Sequence, residues 1–97
     1  MCTAIVEIVH TEGAGKSRDG WFPLTHAVVS YDHPNHALLD DAIIIDFVNQ
    51  ARGPSARAAV ELTLESARAL QGALQRAIAA AEREEAEDRG PKRAAAA

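Results

Sequence analysis

The segment His33-Pro34-Asn35-His36 carries two imidazoles separated by a proline and an asparagine. Proline at the second position and asparagine at the third are favoured in tight turns, which would set the histidines at positions one and four. Their Cα atoms would then lie within about 7 Å, close enough for both rings to reach one divalent ion. Cys2 is a third candidate. If an extended segment from Cys2 to His10 is followed by one returning from Trp21 to Tyr31, the end of the return lies beside the start of the chain. A thiolate and two imidazoles suit zinc, or copper or iron, with Asp32, Asp40 or Asp41 as a carboxylate ligand or supporting partner. The small Cys2 side chain would also permit removal of Met1, which would put a terminal amine beside the thiol. The plainer reading is an unmetallated turn and a small thiol buried at a strand start.

Glu7, His26 and Asp46 form a second constellation. Each sits among Ile and Val in an extended stretch, and simple hairpins would put all three on one sheet face. A carboxylate in such a setting is either paired or a proton-transfer group, and a neighbouring histidine could act as general base or as the pairing cation. The alternative is that Asp46 and His26 bond each other, or nearby backbone, across a subunit contact. Gly13-Ala14-Gly15-Lys16-Ser17 ends like a phosphate-binding loop. That pattern needs a glycine where His10 stands and a helix directly after the serine. Ser17-Arg18-Asp19-Gly20-Trp21-Phe22-Pro23 cannot be that helix, so nucleotide binding is rejected and an exposed loop is expected.

The elements that must position these residues follow from periodicity. Thr3 to His10 is β-branched and reads as a strand, followed by a long polar loop from Thr11 to Gly20. Trp21 to Tyr31 is a second strand, with Pro23 near its start. Ala42 to Val48 is the most hydrophobic run and reads as a central strand. Gly53-Pro54 breaks the chain before a shorter strand from Arg57 to Leu62. From Thr63 the period becomes helical, because Leu64, Ala67, Leu70, Leu74, Ala77, Ile78 and Ala81 share one side. Thr63 is the expected N-cap. Glu82, Glu84, Glu85, Glu87 and Asp88 crowd the negative pole, so fraying is expected there before Gly90-Pro91.

The predicted order is β-β-β-β-α: an α+β fold in which a four-stranded antiparallel sheet carries one C-terminal helix on one face. The other face is too apolar for comfortable exposure and predicts a homodimer or larger assembly. Residues 1–89 are expected to form one domain, with 90–97 a loose tail. Of 97 residues 21 are alanine and only four are Phe, Trp or Tyr, so the core must be thin. One cysteine excludes an internal disulfide. A net charge of −4 without a basic stripe argues against nucleic acid. No run approaches the ~20 apolar residues that a membrane span needs. The start of the chain lacks a cationic leader, and a cytoplasmic protein is expected.

Met1-Cys2-Thr3, Gly20-Trp21-Phe22, Tyr31-Asp32-His33-Pro34 and Ile45-Asp46-Phe47-Val48-Asn49 resemble the blocks of a family of short actinobacterial proteins of unknown function. The resemblance spans about residues 1 to 80 and extends through Val60-Glu61-Leu62 to Ser66-Ala67-Arg68-Ala69-Leu70. It implies a compact bacterial cytosolic protein, with no reaction attached. It also implies that a histidine often stands where this chain has Asp41, where a carboxylate could replace the missing ligand. Two classes of function follow. One is metal binding through Cys2, His33 and His36, with small-molecule chemistry at His26, Asp46 or Glu7. The other is a non-catalytic, self-associating ligand-binding module or the small subunit of a larger enzyme.

Overall fold

The computed structural model describes residues 5–88. It contains six strands and one helix: β1 (Ile5–His10), β2 (Ala14–Ser17), β3 (Gly20–Pro23), β4 (His26–Asp32), β5 (Ala42–Val48), β6 (Arg57–Leu62) and α1 (Leu64–Asp88). Strands β1-β4-β5-β6 form an antiparallel sheet in that order, and β2 and β3 form a separate two-stranded sheet. The α+β class, the four-stranded antiparallel sheet and the C-terminal helix agree with the sequence-based expectation. The chain divides into two compact units, one ending at Glu65 and the other beginning at Ser66. The proposed tail 90–97 lies outside the described residues.

The polar stretch expected to be a loop is itself a hairpin. Gly15 pairs with Phe22 and Ser17 with Gly20, and Gly20 closes the turn at φ 118°, a conformation that favours glycine. The Ser17 hydroxyl donates to the Gly20 carbonyl and accepts from the Asp19 amide. Gly15 is required by close approach, because a Cβ there would lie 3.0 Å from Leu24 Cδ2 and 3.2 Å from the tip of the Phe22 ring. The single strand expected over Trp21 to Tyr31 is accordingly broken into β3 and β4. At the break, Leu24 N–H donates to Gly13 O and Thr25 N–H to Val48 O.

The core of the first unit is thin, as its composition requires. Among the described residues only Phe22, Ala27, Ala42 and Ala56 are buried apolar side chains, with Phe22 the one large member at 4% exposure. Asn49, 7% exposed, ties three segments together. Its amide nitrogen donates to Pro23 O at 2.8 Å, its carbonyl oxygen accepts from Ala51 N–H, and its backbone N–H donates to Ala56 O. A buried amide must satisfy both ends, and here it does.

Cross-strand partners fix the faces. Ile5, Glu7 and Val9 of β1 stand with Ala27, Val29, Tyr31, Ile43, Ile45 and Phe47. Val6, Ile8 and His10 stand on the other face with His26, Val28, Ile44, Asp46 and Val48. The expected common face therefore holds for His26 and Asp46 but not for Glu7, because the phase of β1 differs by one residue from that of a simple hairpin. A strand's side-chain period is two, so its phase must be set by the connection to its partner. Here that connection contains a whole hairpin and is locked by Thr11 N–H donating to Thr25 O, so it is not the simple hairpin that the sequence suggests. The helix runs unbroken through its acidic end to Asp88, with Glu65 in the first turn and no basic residue in the last.

Candidate functional site

Residues 33–41 join β4 to β5, and both ends of this loop are fastened. At the neck, the His33 backbone N–H donates to Asp32 Oδ1 at 2.7 Å. The His33 ring Nδ1 lies 2.8 Å from the Asp40 carbonyl oxygen and 3.3 Å from Asp41 Oδ1. A carbonyl oxygen only accepts, so Nδ1 carries the hydrogen and the neutral ring has its lone pair on Nε2. The Asp40 carbonyl, followed by the negative charge of Asp41, raises the His33 pKa above its ordinary value.

At the tip, one carboxylate gathers three successive amides. Glu61 Oε2 accepts from Asn35 N–H, and Oε1 accepts from His36 N–H and Ala37 N–H, each at 2.9 Å. These amides, Asn35 foremost, hold the Glu61 pKa below its ordinary value. Glu61 reaches the loop because β6 pairs it with Ile44 on the face shared with Asp46 and Arg57. Sequence reasoning missed this residue as a functional one. Alternation marks it as a solvent-side charge in Val60-Glu61-Leu62, but nothing local announces amides 24 to 26 positions away.

Beside the loop lies an open groove of about 610 Å³, lined by Asn35, His36, Ile44, Pro54, Arg57, Ala59 and Glu61. Arg57 directs both Nε and Nη2 to Asp46 Oδ1, each at 2.8 Å. This pair explains how a carboxylate is accommodated in the apolar β5. Asp46 shares its sheet face with His26, as expected, and its carboxylate is engaged by Arg57. Glu7 stands on the opposite sheet face from His26 and Asp46, a consequence of the β1 phase.

His26 stands directly across from His10, with ring centroids 5.7 Å apart in an edge-to-face arrangement. Its Nδ1 is 2.8 Å from Thr25 Oγ1, which also lies 3.3 Å from Val48 O and accepts from Gln50 N–H. Every contact of that hydroxyl is satisfied if it donates to Val48 O and accepts from Nδ1–H.

The three expected metal ligands are therefore placed as follows. His33 is at the neck of the loop and His36 at its tip, lining the groove. Cys2 lies outside the described residues. Ile5, the first described residue, pairs with Tyr31, two positions before His33. Among the described residues no three His, Cys, Asp or Glu side chains are grouped so that they could hold a metal ion. No described helix is long and apolar enough to cross a membrane.

The chain belongs to a Family of unknown function (DUF6295), whose profile matches residues 1–87. No curated protein and no solved structure matches the chain.

Proposed function

We propose that this domain binds a divalent transition metal, zinc foremost, at the 33–41 loop. His33 and His36 supply imidazoles, Cys2 a thiolate, and Asp41 a carboxylate ligand or supporting partner. The observation that carries the reading is the fastening of His33. A metal-binding imidazole commonly donates its other ring N–H to a carbonyl or carboxylate, which fixes the tautomer and the ring orientation. His33 Nδ1 has both an Asp40 carbonyl and an Asp41 carboxylate within reach. The antiparallel pairing of β1 with β4 supports a contribution from the N-terminal end, because it sets Ile5 opposite Tyr31. Since the described side chains do not complete a three-ligand group, the reading depends on Cys2.

The test is metal analysis of untagged full-length protein, with zinc titration calorimetry on the parent, His33→Ala and Cys2→Ser. One equivalent of metal in the parent and at least a tenfold weaker affinity in both variants are expected. Substoichiometric binding by the parent, or equal affinity in all three proteins, rejects the proposal. The groove beside the loop favours a second reading, a non-catalytic ligand-binding module, in which Glu61 shapes the site and His36 and Arg57 present polar groups to the occupant.

A further inference from the structure

The two outer strands of the four-stranded sheet are treated very differently. Strand β6 is guarded: Arg57 is committed to Asp46, and Glu61 is committed to the loop amides. Strand β1 carries one charged side chain, Glu7, among four large apolar ones. All six of its residues are exposed, with Ile5 at 61% and Ile8 at 60%. It contains no lysine and no proline, and its pairing with β4 runs without a bulge from Ile5 to His10. An exposed edge with four large apolar side chains, a single carboxylate, and neither lysine, proline nor bulge is a weakly protected template for another strand.

We infer that β1 is the seam of a homodimer, in which the β1 of a second copy adds antiparallel to this edge and joins the two four-stranded sheets into one. The occupant must carry large apolar side chains on both faces, since Ile5 and Val9 stand on one face of β1 and Val6 and Ile8 on the other. Strand β1 has that pattern itself, whereas β6 presents Arg57, Ala59 and Glu61 on one of its faces.

Symmetry and maximal overlap of two Ile5–His10 strands then leave two registers, centred on Glu7 or on Ile8. A twofold axis normal to the sheet keeps each face continuous, so one residue must lie opposite its own copy. Centring on Glu7 opposes two carboxylates and is disfavoured. Centring on Ile8 sets Ile8 against Ile8, Glu7 against Val9 and Val6 against His10, with no like charges opposed. The surface is independent of the metal reading.

Sedimentation of the untagged full chain with a chelator present tests the inference. The parent is expected at twice its 10.3 kDa mass, and Ile8→Lys, with unchanged circular dichroism, at the single mass. In a Cys2→Ser background, Ile8→Cys is expected to form a disulfide-linked dimer under mild oxidation while Val6→Cys does not. If Ile8→Lys fails to fold, this cysteine pair decides. A parent that stays monomeric, a dimer that Ile8→Lys leaves intact, or equal cross-linking at positions 6 and 8 overturns the inference.

Discussion

Glu61 holds its loop most strongly while ionised, which gives the loop a defined response to acid. A carboxylate whose pKa is depressed in the folded state contributes stability that is complete above its unfolded pKa, ordinarily 4.5, and is lost as pH falls through the lower folded value. The amide proton shifts of Asn35, His36 and Ala37 are therefore expected to titrate together below the ordinary glutamate range. In Glu61→Gln they should not move with that titration, and NMR spectra recorded against pH would distinguish the two. The Asn49 side chain makes a contribution of another kind, since it is buried and joins the β3–β4 break to the 49–56 connection. Asn49→Leu leaves the Pro23 carbonyl and the Ala51 amide without their partner. Both groups belong to exposed residues, so the expected loss in chemical denaturation is that of the hydrogen bonds themselves, about 0.5–1.5 kcal/mol each.

At the scale of elements, the β2–β3 hairpin supplies Phe22, the one large buried side chain among the described residues. Phe22→Ala should cost about 3–5 kcal/mol, a large part of what a domain this size possesses. Gly15→Val, which drives a side chain against Leu24 and Phe22, should cost on the order of 1–3 kcal/mol from overpacking. Thermal denaturation would measure both. This hairpin was also the part of the fold least legible in the sequence. Strand β5 declares itself through a run of Ile and Val, β6 through the Gly53-Pro54 break before it and the helix through a 3.6-residue period, and their bounds agree with those signals. Ala14 to Ser17 has no strand-forming pattern, and its extended state depends on pairing with Gly20 to Pro23. Missing that hairpin cost the phase of β1, and with it the expected company of Glu7. Within the candidate site, His33 and His36 were legible from their turn residues. Glu61 was not, because the amides it holds are adjacent only in the folded chain.

At the scale of the whole molecule, the described residues bury few apolar side chains, so any ligand of the native state should register strongly in stability. If zinc binds as proposed, free zinc at 100 times its dissociation constant adds about 2.7 kcal/mol. For a domain of this size that corresponds to a rise of roughly 10–20 °C in Tm. Scanning calorimetry with and without chelator would show the rise and its reversal, and an unchanged Tm would contradict it. The geometry of the loop also has a remote determinant. Glu61 reaches amides 35 to 37 from a strand that begins after the 49–56 connection. Inserting one residue in that connection would advance the phase of β6 by half a pleat and send the carboxylate through to the opposite surface. The histidine loop would then be released by an indel that alters none of its own residues, so the length of a distant, chemically silent stretch governs whether it is held.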